Sequence, residues 1–145
     1  MTDAIRDPQP WSSTTGAKAF ALEWLDAWNS HDLPRILSHY RDDFEMSSPL
    51  IIERGKSADG VLRGKVAIAD YWKIGLAAQP PLRFELIEVF RGAEMICLLY
   101  RSVTRNRRVI EWLRFDDAGL VTPAAGIYGE PGCPGVLMRL IRAPR

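Results

Sequence analysis

The stretch from Trp24 to Pro49 constrains the fold more than any other part of the chain. A helix carrying Trp24 and Trp28 runs into Asn29-Ser30-His31-Asp32, and a short second helix ends at Tyr40. Arg41-Asp42-Asp43 then turns the chain, and Phe44 to Pro49 reads as a strand. Two helices that hand over directly to a strand predict helices closing a curved sheet around a pocket.

Local patterns fill in the rest. Thr14 or Thr15 offers an N-cap, after which Phe20, Trp24, Ala27 and Trp28 recur at i, i+4, i+7 and i+8, the spacing of an amphipathic helix. Asp32 can cap the second helix, with Pro34 in the first turn where a missing N–H costs little. Glu53 to Gly64 contains Gly55, Gly60 and Gly64 and reads as a mobile loop, either a lid or a plain connection. A third helix places Ile68, Tyr71, Trp72, Gly75 and Leu76 on one face, and Pro80-Pro81 ends it. Four strand-like runs follow: Leu82 to Phe90, Met95 to Thr104, Val109 to Phe115 and Leu120 to Tyr128. Short turns between them predict an antiparallel meander, so helices first and strands afterwards give an α+β layout.

The 145 residues are enough for one domain with its own core, comprising an irregular arm over 1–14 and a tail over 131–145. Nineteen basic residues nearly cancel eighteen acidic ones, giving a net charge of +1 and no stripe of the kind nucleic acid requires. Arg101, Arg105, Arg107 and Arg108 cluster where a solvated hairpin tip is expected. Cys97 lies in an apolar run and reads as a small core residue, and neither cysteine has metal-ligand spacing. No leader pattern and no membrane-length apolar run is visible, so a soluble, cytoplasmic protein without metal or cofactor is the expectation.

Strand parity assigns faces. Glu111 is a carboxylate flanked by Ile110, Trp112 and Leu113; Val109, Leu113 and Phe115 share its phase, whereas Ile110, Trp112 and Arg114 point the other way. Both faces are largely apolar, so one should line the core and the other should meet a second subunit. Leu99, Val103, Ile110 and Trp112 would supply that homodimer contact.

Several segments resemble the nuclear transport factor 2-like superfamily, in its SnoaL-like and ketosteroid-isomerase-like bacterial branch. They are Trp28-Asn29-Ser30-His31-Asp32-Leu33, Tyr40-Arg41-Asp42-Asp43-Phe44, Ser48-Pro49, Gly64-Lys65-Val66-Ala67-Ile68 with Tyr71-Trp72, and Phe115 to Val121. The resemblance covers about Ala17 to Glu130. It implies a cone-shaped barrel of about three N-terminal helices packed on a strongly curved, mostly antiparallel sheet, commonly dimeric. In the isomerases of that superfamily, a tyrosine, an aspartate before a proline and a second carboxylic acid do the chemistry. The matching positions here hold Trp24, Ser48 and Glu111. Tryptophan does not exchange a proton usefully and an unassisted serine is too weak a base, so only the acid is kept in kind.

The residues expected to face the cavity are Trp24, Phe44, Met46, Ser48, Tyr71, Ile96, Leu98, Tyr100, Ala124, Gly126 and Tyr128, around Glu111 as acid or base. Such a lining suits a small hydrophobic ligand. Two readings of Glu111 stay open: a desolvated carboxyl in the cavity, or an ion pair with Arg101 or Arg108 outside it. Ser48 either orients a ligand oxygen or ends its strand before Pro49. His39 could reach the pocket mouth. At the level of function, a cofactor-independent isomerase, cyclase or lyase stands beside a non-catalytic binding or partner-docking module.

Overall fold

The computed structural model describes residues 8–130; residues 1–7 of the expected arm and the 131–145 tail lie outside the described residues. A 3-10 turn at Pro10–Ser12 leads into α1 (Thr14–Asn29), followed by α2 (Leu33–Leu37), β1 (Glu45–Ser47), α3 (Pro49–Glu53), β2 (Val61–Arg63) and α4 (Lys65–Leu76). The meander β3 (Phe84–Gly92), β4 (Met95–Ser102), β5 (Arg107–Phe115) and β6 (Val121–Tyr128) follows. The layout is α+β, as the order of elements predicts.

The six strands among the described residues form one open sheet in the order β2-β1-β6-β5-β4-β3. The meander is antiparallel, and β1 joins β6 in parallel, with Met46 beside Ala124. Register slips between Leu86 and Glu88, and between Leu113 and Phe115, mark bulges, which bend and twist the strands that carry them. Pro123 lies near the second slip, where a missing N–H is tolerated. The sheet curves without closing, so its concave face is covered by helices.

Packing follows the expected stripes. Ala17, Ala21, Trp24, Leu25 and Trp28 of α1 are buried, as are Ile68, Tyr71 and Trp72 of α4. Alternation in β4 buries Ile96, Leu98, Tyr100 and Ser102, and in β5 it buries Val109, Glu111, Leu113 and Phe115. Asn29 fastens the end of α1 to the start of β3: its amide nitrogen donates to the Phe84 carbonyl at 2.9 Å and its amide oxygen accepts from the Phe84 N–H at 2.8 Å. Such paired side-chain bonds hold a helix against a strand where neither ladder nor helix could do so alone.

Four local expectations are corrected. Ser13, rather than Thr14 or Thr15, caps α1 by accepting from the Gly16 N–H at 2.9 Å. The strand ends at Ser47. Ser48 turns out of the sheet and caps α3 through the Leu50 N–H at 3.2 Å, with Pro49 as first helical residue. Among the described residues the α-helices therefore number four, the extra one lying where the strand was expected to end. Finally, the 53–64 segment contains β2, paired antiparallel with β1, and Gly64 turns the chain into α4 at φ +87°, a conformation few other residues accept. That segment is thus tied into the sheet for part of its length.

Candidate functional site

A cavity of about 380 Å³ opens between the concave face of the sheet and the helices. That size lies within the range of small-molecule sites. Register builds its inner end. Glu111 pairs with Leu98 on one side and Gly126 on the other, while the neighbouring row sets Tyr100 and Tyr128 on either side of Val109. Both tyrosines thereby lie diagonal to the acid on the same face. An added Cβ at Gly126 would meet Tyr128 Cε2 at 3.4 Å, Glu111 Oε2 at 3.6 Å and Ser48 Oγ at 3.8 Å. Carboxyl, hydroxyl and phenol ring converge on the space which that missing side chain leaves.

Glu111 is 8% exposed, and among the described residues it has no cation within ion-pair distance. The ion-pair reading fails because Arg101 lies on the other face, bonded to Asn106 at 3.1 Å and near Glu85 at 3.8 Å, and Arg108 is its exposed cross-strand neighbour. Burial pushes the Glu111 carboxyl up to about 8, and a hydrogen bond donated by the Tyr100 hydroxyl at 3.4 Å pulls weakly against it. A carboxyl so placed keeps its proton at neutral pH and can donate or release it with little driving force. The same burial, with the acid's negative charge as a second cause, raises Tyr100 well above the ordinary phenol range and Tyr128 to about 12. Both phenols stay neutral donors.

One wall is aromatic. Trp24 packs against Trp28 (5.8 Å between ring centres), Phe84 (6.1 Å, nearly parallel) and Tyr100 (5.5 Å), and Trp28 meets Trp72 edge-on at 4.9 Å. The Trp24 indole N–H is already committed, donating at 2.9 Å to the buried hydroxyl of Tyr40. The lining residues that are exposed, namely Arg54, Ala78, Gln79, Pro80 and Arg105, mark the mouth. There Arg54 donates to the Tyr71 hydroxyl at 3.2 Å and lies 5.5 Å from the centre of that ring.

Of the residues expected at the cavity, Trp24, Met46, Ser48, Tyr71, Tyr100, Glu111, Gly126 and Tyr128 line it. Phe44, Ile96, Leu98 and Ala124 do not: they are fully or almost fully buried in the core beneath, Phe44 against Tyr40 at 4.5 Å. Parity chose the correct face for them, but position along the sheet takes them under the helices. His39 is also away from the mouth, packed on Phe20 with Glu23 at 3.6 Å. Burial, the largest influence, lowers its imidazole.

Two lining arginines are not marked in the sequence: Arg54 follows the short α3, and Arg105 lies in a turn that reads as solvated. The Ser48-Pro49 pair was a usable signal for α3, since a serine N-cap before proline is a common helix start. Nothing in spacing singles out Arg105. Among the described residues no group of three or more His, Cys, Asp or Glu could hold a metal ion, and no helix is long and apolar enough to cross a membrane.

The chain is similar to proteins of known structure. A SnoaL-like protein of unknown function from Burkholderia thailandensis is 39% identical, with a TM-score of 0.77 over 81% of this chain and 98% of that one. AclR from Streptomyces galilaeus, a provisionally assigned hydroxylase, is 22% identical with a TM-score of 0.62 over 92% of this chain and 87% of its own. A provisionally assigned ketosteroid isomerase from Kribbella flavida is 13% identical, also with a TM-score of 0.62, over 88% and 87% of the two chains. The last two likenesses establish the fold alone. No curated protein matches the chain. The SnoaL-like domain model matches residues 21–124, which with the 39% identical structure shows that the chain belongs to the SnoaL-like family.

Proposed function

We propose that the cavity binds a small hydrophobic carbonyl compound and that Glu111 serves as acid or base in its cofactor-independent isomerisation, cyclisation or cleavage. The observation that carries this reading is the Glu111 carboxyl itself, buried at the inner end of an aromatic cavity and shifted to about 8. A protonated acid there can polarise a ligand carbonyl, and its conjugate base can take a proton once the ligand is seated. Trp24, Ser48, Tyr71, Tyr100 and Tyr128 would position the ligand. Glu111→Gln tests the role: turnover, or affinity for ligands bearing a carbonyl, should fall while the fold persists, and an unchanged variant would exclude it.

A second reading, a non-catalytic binding module, draws support from a specific observation. Neither Ser48 nor Trp24 can share proton transfer with Glu111, because Ser48 is an unassisted hydroxyl whose oxygen caps α3 and the Trp24 N–H is held by Tyr40. The discriminating result is binding without turnover in the native protein.

We also infer that two copies pair through the outer sheet face. Leu99, Ile110 and Ile127 follow one another across β4, β5 and β6, beside a row of Phe90, Cys97, Trp112 and Ala125. Ile110 is 38% exposed and Ile127 53% exposed, so the patch is contiguous and open. Val103, expected in this contact, lies beyond the end of β4 and off these rows.

A further inference from the structure

Two arginines at the cavity mouth go unused by the account of Glu111. Arg54 reaches the mouth from the end of α3, and Arg105 reaches it from the turn between β4 and β5. Among the described residues neither has a carboxylate within 4.0 Å, which is also true of Arg83, Arg91, Arg107 and Arg108 but not of Arg35, Arg41, Arg63, Arg101 and Arg114; Arg54 and Arg105 are the ones that line the cavity. Their charges converge. The phenol of Tyr128, raised first by burial and then by Glu111, is pulled back down by Arg105 and by Arg54. The Tyr71 hydroxyl and ring hold the Arg54 guanidinium in place, and a guanidinium has donors to spare after one such bond.

The rest of the lining gives these cations nothing to balance them. Glu111 is the lone acidic residue among those lining the cavity, and it lies at the buried end with its proton on. An apolar body with a positive mouth is complementary to a molecule built the opposite way.

We propose that the occupant is a hydrophobic carboxylic acid, its ring or chain lying along the Trp24, Trp28 and Phe84 wall and its carboxylate held at the mouth by Arg54 and Arg105. The geometry suits a carboxylate in particular, because the planar guanidinium fork can present two parallel N–H donors to its two oxygens. The inference rests on the cavity being a ligand site, as proposed above, and adds the charge and the orientation of what enters it. The end of the ligand remote from the carboxylate is the part delivered to Glu111.

The test compares a matched pair of probes, 2-naphthoate and the neutral 2-naphthamide, by isothermal titration calorimetry near neutral pH. The native protein should bind naphthoate about tenfold more tightly than the amide, since charge-assisted bonds are roughly twice as strong as neutral ones. The double variant R54M/R105M should lose that preference and keep its affinity for the amide. Equal binding of both probes by the native protein, or an equal loss of both in the variant, would overturn the carboxylate inference and leave the cavity reading standing. Binding of neither probe would overturn both.

Discussion

Glu111 and Gly126 are cross-strand neighbours on β5 and β6, and the glycine is what leaves the carboxyl an open side. A methyl group at position 126 would lie 3.6 Å from Glu111 Oε2 and 3.4 Å from the Tyr128 ring, in the space a ligand would need. The backbone there is not left-handed, so alanine is compatible with the fold. Gly126→Ala should therefore leave the melting temperature level or raise it by the equivalent of about 0.4–1 kcal/mol, while weakening ligand binding about tenfold. Thermal melts and calorimetric titration on the same sample separate the two effects.

The bond from Trp24 to Tyr40 is buried, and breaking one side of it should be costly. Tyr40→Phe keeps the ring packing on Phe44 and Trp72 but removes the acceptor of the Trp24 indole N–H. A buried donor left without a partner costs about 1–3 kcal/mol, so urea unfolding should show a loss of that order. The same variant frees that N–H beside the cavity, and a shift in tryptophan emission would report it.

The outer face offers a direct test of association. Ile110→Glu puts a charge at the centre of the apolar rows without touching the cavity side of β5. Light scattering should find the native chain dimeric and this variant monomeric, with ligand affinity retained. A native monomer would leave the patch without its proposed partner.

Stability should depend on pH through Glu111. Its folded value of about 8 lies above the ordinary 4.5, so the folded state holds the proton more tightly than the unfolded chain does. The contribution of the neutral carboxyl is fully present below pH 4.5 and is lost as pH rises through 8, by as much as about 5 kcal/mol. Glu111→Gln removes this dependence. Denaturant midpoints of the native chain should therefore fall relative to the variant between those two pH values and run parallel to it above and below.

Much of this architecture is legible in the residues because period-two alternation survives burial. Ile96, Leu98 and Tyr100 on β4 and Val109, Glu111 and Leu113 on β5 alternate with less buried neighbours, which fixes the inner face and marks a lone acid on it. Legibility stops where tertiary position decides. Leu98 and Gly126 flank Glu111 in one row, yet only Gly126 reaches the cavity, since helices above the sheet choose which part of its face stays open. α3 escaped because five residues are too few to display a helical period, leaving only Ser48-Pro49 as a sign. Arg105 escaped because a turn arginine looks the same whether it faces water or a cavity mouth.

The most direct measurement is a carbon-13 NMR titration of the Glu111 side-chain carboxyl in the intact protein. A midpoint near 8 would show a desolvated acid poised for proton exchange inside the hollow. A midpoint near 4.5, the value of a freely hydrated glutamate, would contradict it and remove the chemical basis of the site.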